Sequence, residues 1–171
     1  MNASQPKIHN TVVIIFRKKD DTGADSILEG DSLNRFCFGY WIPPGGHIEP
    51  GETMFETCYH EGPDECGLKP LPGSLVHVGT FIVAYRDSTE VHMSFLETFE
   101  WEGVLAPNPK DFKEMRFLSR SEIPWDKIPP GDSIMVNALF DNLWFDIRMR
   151  CGDSLKEALS IQSDLRPRSQ A

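Results

Sequence analysis

The stretch GGHIEPGETMFETCYHEGPDECGL, residues 45–68, sets a glycine turn ahead of an acidic, helix-forming segment, and the domain is organised around it. Gly45 and Gly46 let the backbone pass close to a neighbour, Gly51 supplies a second permissive position, and residues 52–61 are helical by composition, with Glu52 or Thr53 near the start. If the helix runs on, Glu61, Asp64 and Glu65 fall on one face, because positions i, i+3 and i+4 are neighbours. Clustered carboxylates repel unless water screens them or a cation joins them, and such hard oxygen ligands suit Mg²⁺ or Mn²⁺. Gly62-Pro63 interrupts the pattern. Inside a helix Gly costs about 1 kcal/mol and Pro about 3 relative to Ala. Two readings follow: a kinked but continuous helix, or a helix ending at Glu61 with a separate turn over 63–67.

Working outward, TVVIIFRK (11–18) reads as a largely buried strand, and the polar stretch 19–35 as a mobile hairpin around Ile27-Leu28. Pro43 and Pro44 hold the chain extended before the glycine turn. SLVHVGTFIVAYR and EVHMSFLETFEWE, joined through Asp87-Ser88-Thr89, form an antiparallel hairpin, with Val91, Met93, Phe95, Phe99 and Trp101 on one face and Glu97 interrupting it. After a loop over 103–113, EMRFLS is a short strand. From Asp132, the four-residue recurrence Met135, Leu139, Leu143, Ile147 predicts an amphipathic C-terminal helix. Residues 1–7 and 164–171 are expected to fray. The pattern predicts one α/β domain over 1–171, with helices layered on a mixed sheet.

The 171 residues fit one core, and 40% hydrophobic with 25% charged residues is the balance of a soluble globular chain. A formal charge of −9 argues against a long nucleic acid as partner, since such binders cluster Lys and Arg. No apolar run reaches the roughly 18–20 residues of a membrane span, and the N-terminus lacks the apolar core of a secretory signal. Cys37, Cys58, Cys66 and Cys151 are irregularly spaced and read as free thiols. A cytoplasmic location follows as the expectation.

WIPPGGHIEPGET followed by HEGPDECGL resembles the signature of the Nudix hydrolases, G-x5-E-x7-R-E-U-x-E-E-x-G-U with U aliphatic. Gly46, Glu52, Glu61, Glu65, Gly67 and Leu68 match it in spacing. His60 stands in place of the Arg, Gly62 in place of the aliphatic residue, and Asp64 in place of the first paired Glu. The resemblance implies an α/β/α sandwich and Mg²⁺-dependent hydrolysis, with Mn²⁺ an alternative ion, of a nucleoside diphosphate linked to another group. It implies that the Gly45 carbonyl, Glu61, Asp64 and Glu65 bind metal, with Glu61 and Glu65 catalytic. Gly46 and Glu52 would brace the loop. His60, facing substrate, would keep part of the Arg's pairing with Glu52, but only when protonated and without the guanidinium fork.

EMRFLSRSEIPWDKI is similar to a segment of the branch that hydrolyses oxidised purine nucleoside triphosphates. There a Glu before Met-Arg lies near the metals, which makes Glu114 a further ligand or base, with Glu97 or Glu100 as alternates. A Trp-Pro-Asp-Asp run reads the base in that branch; here Pro129-Pro130-Gly131-Asp132 replaces it and keeps one carboxylate, Asp132, which also reads as a helix N-cap. Trp41 is a stacking candidate for the base. Two functions stay open: a diphosphatase acting on a small nucleotide, or a Nudix-fold nucleotide-binding or protein-interaction module that has lost catalysis. No membrane partner is expected, and the oligomeric state stays open, a homodimer included.

Overall fold

The structure, a computed structural model, describes residues 6–169. Its spine is β1 (Lys7–Lys19), whose apolar run is buried from both sides. Val12, Ile14 and Phe16 face one apolar cluster, while Ile15 joins the other. The remaining elements are β2 (Asp25–Ser32), β3 (Trp41–Ile42), β4 (Gly45–His47), α1 (Met54–Cys66), β5 (Leu68–Pro70), β6 (Val76–Ala84), β7 (Thr89–Thr98), β8 (Trp101–Gly103), β9 (Phe112–Ser119), α2 (Asp132–Phe140), β10 (Leu143–Cys151) and β11 (Ala158–Pro167). A 3₁₀ turn covers Trp125–Lys127.

The main sheet runs β11-β10-β6-β7-β1-β2-β3, with β4 also on β1 and β9 also on β2. It is mixed: β1–β7 and β6–β10 are parallel, and the other pairings are antiparallel. α1 contributes Cys58 and Cys66 to the cluster containing Phe16 and Leu96. α2 contributes Met135, Val136, Ala138 and Leu139 to the cluster containing Phe81, Phe95 and Phe145. Helices on the two faces of a mixed sheet make the α/β/α sandwich that the family resemblance implies.

Three expectations change. The stretch 19–35 does turn at 20–24, but β2 is a well-buried strand, with Ile27 and Leu28 inaccessible to solvent. The C-terminal helix stops at Phe140, and residues 143–151 form a strand parallel to β6. Asn142, at φ 53°, breaks the helix, and Phe145, Ile147, Met149 and Cys151 then alternate inward with Trp144, Asp146, Arg148 and Arg150. A recurrence of four satisfies period 2 as well as the helical period, so Leu143 and Ile147 fitted either. Finally, Trp101 belongs to the small β5–β8 pair and stacks on Phe117, away from the face of Phe95.

Of the segments expected to fray, Lys7 pairs with Thr89 and Leu165–Pro167 pair with β10. Residues 1–5 and 170–171 lie outside the described residues. The four cysteines are unpaired, Cys58, Cys66 and Cys151 being buried. Among the described residues no helix is long and apolar enough to cross a membrane.

A buried ion network ties the layers together. Arg17, 0% exposed, donates to Glu97 at 2.7 Å, to the Leu139 carbonyl at 3.0 Å, to Asn142 at 3.1 Å and to Asp25 at 2.7 Å. Arg168 reaches the other Glu97 oxygen at 2.7 Å. Glu97 is therefore committed to structure, which removes it as the alternate supplementary acid.

Candidate active site

α1 runs unbroken through Gly62-Pro63 to Cys66. Thr53 starts it with a capping box: its hydroxyl accepts the Glu56 N–H, and the Glu56 carboxylate accepts the Thr53 N–H at 2.8 Å. Pro63 brings no N–H for the Tyr59 carbonyl, so the far half of the helix needs outside support. The loop at 106–108 supplies it. Ala106 N–H donates to Cys66, Asn108 N–H to Glu65 and the Asn108 amide to Asp64, satisfying carbonyls that a helix end leaves open. Gly67, at φ 76°, closes the end by donating to the Pro63 carbonyl.

Gly62 has a packing reason. A Cβ there would stand 2.5 Å from the Leu68 carbonyl oxygen and 3.2 Å from Phe16 Cζ. In this chain Phe16 fills the space that the aliphatic residue of the signature would occupy.

The continuous helix brings Glu61 and Glu65 against the glycine turn. Glu65 accepts the Gly45 N–H at 2.7 Å. Gly46 lies so close to Glu61 that a Cβ there would overlap its carboxyl group. β4 is pinned to β1 through Val12–Gly46 and Val13–Gly45, so the turn is a fixed wall beside the helix. Loss of solvation raises the Glu61 carboxyl; His60 and His47 oppose the rise, while Asp64 and Asp111 add to it. Glu65 is pushed up to about 8, by desolvation first, partly opposed by the Gly45 bond and reinforced by Glu61 and Asp111.

Two close carboxyls held in a poorly solvated cleft, with no cationic side chain among the described residues bonded to either, suit a small divalent cation. Mg²⁺ commonly uses only one or two protein carboxylates and keeps its remaining positions for water and phosphate. Asp64 is exposed on the next turn, and its charge is still felt at Glu61. The described residues contain no ready-made cluster of three or more His, Cys, Asp or Glu ligands.

Glu52 sits where it can brace the turn. Its carboxylate accepts the Glu49 N–H at 3.4 Å and the Thr57 hydroxyl at 3.1 Å, and lies 3.4 Å from His60 Nε2. His60 thus occupies the side of Glu52 expected of the missing Arg. Glu114 lies half-exposed on β9, paired with Arg116 at 3.3 Å and not with the helix carboxylates. Trp41 is 4% exposed, with the Arg116 guanidinium 4.9 Å from its ring centroid. Asp132 is the first residue of α2, whose N-cap is Gly131, and it makes no side-chain capping bond. Asp111 was invisible in the sequence, a lone acid in a Pro/Asn loop, and becomes relevant only when that loop folds against α1. A groove of about 930 Å³ lined by Tyr85, Arg86, Arg148 and Leu159 lies along β6, β10 and β11 and includes no residue of the glycine turn or α1.

A glycine turn braced by an acid, beside a helix that presents paired carboxyls, within an α/β/α sandwich, defines a Nudix-type domain. The NUDIX domain family matches residues 7–139, and the chain belongs to that family. Human 8-oxo-dGDP phosphatase NUDT18 is 39% identical over 54 residues, covering 32% of this chain and 17% of that protein. Among solved structures, the MutT protein of Bacillus halodurans superposes with a TM-score of 0.73 at 20% identity, covering 91% of this chain and 97% of the other. The NUDIX domain of Shewanella oneidensis NrtR, crystallised with ADP ribose, gives a TM-score of 0.55 with 15% identity over 70% of this chain and 75% of that one. At these identities the structural matches speak for the fold alone.

Proposed function

We propose that the protein is a Mg²⁺-dependent diphosphatase that hydrolyses a nucleoside di- or triphosphate, oxidised purine nucleotides being the class to which the human relative points. The observation that carries this reading is the unbroken helix Met54–Cys66, which sets Glu61 and Glu65 together against Gly45-Gly46 despite Pro63. A chain released from catalysis has no need to support a Pro-containing helix from a distant loop.

Glu61 and Glu65 would hold the cation, with the Gly45 carbonyl and Asp64 completing the donor set. Bound there, Mg²⁺ supplies positive charge for phosphate oxygens and acidifies water. The reaction forms a P–O bond from water and breaks the bridging P–O bond, so a carboxylate must take up a proton. Glu114 serves that step only after leaving Arg116, which makes Glu61 and Glu65 the acceptors nearer to hand. Glu52, bonded to the Glu49 N–H and Thr57, fixes the turn, and His60 replaces the usual Arg there. Trp41 and Asp132 lie on the α2 side, where they would meet the base. Mn²⁺ would serve the same ligands, and the unpaired thiols fit a cytoplasmic setting.

The test is incubation with Mg²⁺ and a panel of nucleoside triphosphates, 8-oxo-dGDP, nucleotide sugars and ADP-ribose, beside Glu65→Gln. Metal-dependent product that vanishes in the variant supports the reading. A folded protein with no turnover in Mg²⁺ or Mn²⁺ refutes it and leaves the binding-module function.

A further inference from the structure

The chain carries 26 acidic residues against 17 basic ones, so a surface arginine has acids to spare around it. Arg17, Arg86, Arg116, Arg120, Arg166 and Arg168 each reach one, and Arg35 lies over the Phe36 ring. The other two, Arg148 and Arg150, have no acid or aromatic ring as partner among the described residues, and both line the groove of about 930 Å³ beside β11. Arg86 lines it too, and its one acid is exposed Asp153 at 3.4 Å.

Strand register shows why no acid comes near. β10 alternates, sending Phe145, Ile147 and Met149 to the α2 side and Asp146, Arg148 and Arg150 to the other face. There Arg148 stands between Ile82 of β6 and Gln162 of β11, and Arg150 between Ala84 and Ser160. One pair along, Asp146 is already engaged by Thr80, Trp144 and Arg166. The one acid lining the groove, Glu90, is bonded to His92 at 2.6 Å. On alternate residues of a strand, Arg148 and Arg150 stand about 7 Å apart, and like charges side by side on a sheet face repel. α1 packs on β1, β4 and β7, and its side of the sheet stays uncovered at β10 and β11. The far end of the groove is fixed. The Arg86 N–H donates to the Gly152 carbonyl at 3.2 Å, tying the β6–β7 turn to the β10–β11 turn, and the Lys7 N–H donates to the Ser88 carbonyl at 3.0 Å. Tyr85 and Leu159 form apolar sides.

We propose that this groove is a binding site for a small oligophosphate, separate from the candidate active site, with Arg148 and Arg150 gripping the phosphate chain and Arg86 closing on its end. A guanidinium presents a planar fork of donors that matches phosphate oxygens. Three of them in one groove call for a ligand with several negative charges in a short span. Linked phosphates supply that, and a single carboxylate does not. Ser160 and Gln162 add neutral donors from the β11 side. The volume is that of a small-molecule site, and the formal charge of −9 opposes a long nucleic acid. The groove includes no residue of the glycine turn or α1, so the assignment is independent of the hydrolase reading.

The test is equilibrium binding of inorganic tripolyphosphate and of ADP, in EDTA, at low and at physiological salt. The proteins are wild type, Arg148→Gln/Arg150→Gln, Gln162→Glu, Glu65→Gln and a charge-matched control, Arg35→Gln/Arg120→Gln. Gln162→Glu leaves both arginines in place and sets an acid opposite Arg148. The expected result is one saturable site per chain in wild type and in Glu65→Gln, with affinity falling as salt rises. Binding should weaken about tenfold or more in the Arg148/Arg150 double variant and clearly in Gln162→Glu, and stay within about twofold in the control. Tripolyphosphate should raise the thermal midpoint of wild type and not that of the double variant. Equal affinity for the two probes assigns the phosphate chain itself, and ADP held about tenfold tighter assigns a nucleotide with its base against Tyr85. Wild type without saturable binding overturns the proposal. So does an equal loss in the control, which marks net charge alone. Binding that responds to Glu65→Gln and is kept in the groove variants places the ligand at the glycine turn and overturns it as well.

Discussion

The two residues that interrupt the helical pattern, Gly62 and Pro63, should respond to alanine in opposite directions. For Gly62→Ala, the helical preference of Ala is worth about 1 kcal/mol in favour. Against it, the new Cβ would lie 2.5 Å from a backbone oxygen, that of Leu68, and 3.2 Å from Phe16 Cζ. A carbonyl in the β5–β8 pair cannot rotate away as a side chain would, and overpacking of this sort costs about 1–3 kcal/mol. The balance is a loss of about 1 kcal/mol, or roughly 2–4 °C in thermal midpoint for a chain of this size. Pro63→Ala removes the clash with the Tyr59 carbonyl and restores a helical N–H. That gain is about 3 kcal/mol before the greater freedom of the unfolded chain takes back about 0.4–1. The midpoint should therefore rise by several degrees. Urea titration of the three proteins, with the slopes compared, reads the differences directly. A Gly62→Ala protein more stable than wild type would refute the packing account, and a Pro63→Ala protein less stable would refute the view that the 106–108 loop merely compensates for a lost bond.

Gly46→Ala should lower kcat about a hundredfold or more while the protein stays folded, because the added methyl displaces Glu61; steady-state kinetics and circular dichroism check both halves. In metal-free protein Glu65 binds its proton more tightly folded, at about 8, than at its ordinary 4.5. Its contribution is complete below about pH 4.5 and fades as pH climbs through 8, so Glu65→Gln should flatten that decline in melts run in EDTA. Arg17→Met takes from buried Glu97 one of its two guanidinium partners and from Asp25 its ion pair, and should cost about 3–5 kcal/mol in denaturant titrations, whereas surface Arg86→Met should cost less than about 0.5.

Much of the architecture could be read from local pattern. The β1 run, the glycine turn, the 74–102 hairpin and the spacing from Gly46 to Leu68 all announce themselves within a few residues. What escaped depends on distant partners. Whether α1 survives Pro63 is decided by Phe16 beneath Gly62 and by Ala106 and Asn108 at its end, none of which is near it in sequence. The β10 strand was hidden by a four-residue spacing common to both periodicities. Glu29 looked like one polar residue in a turn-rich stretch, and only the burial of β2 between β9 and β3 makes it conspicuous. Asp132 stood out in the sequence, but its lack of a capping bond did not.

The ion network around Arg17 also sets an order of events during synthesis. Arg17 is made early, yet its partners Glu97, Leu139 and Asn142 come far later, and Glu97 gains its second guanidinium only at residue 168. The family match ends at residue 139, before the last of these groups exists. A nascent chain holding only the matched region would carry Arg17 and Glu97 with their cage unfinished. Ribosome-bound intermediates should therefore remain protease-sensitive in this layer, and closure should come as one late step once residue 168 can join the network.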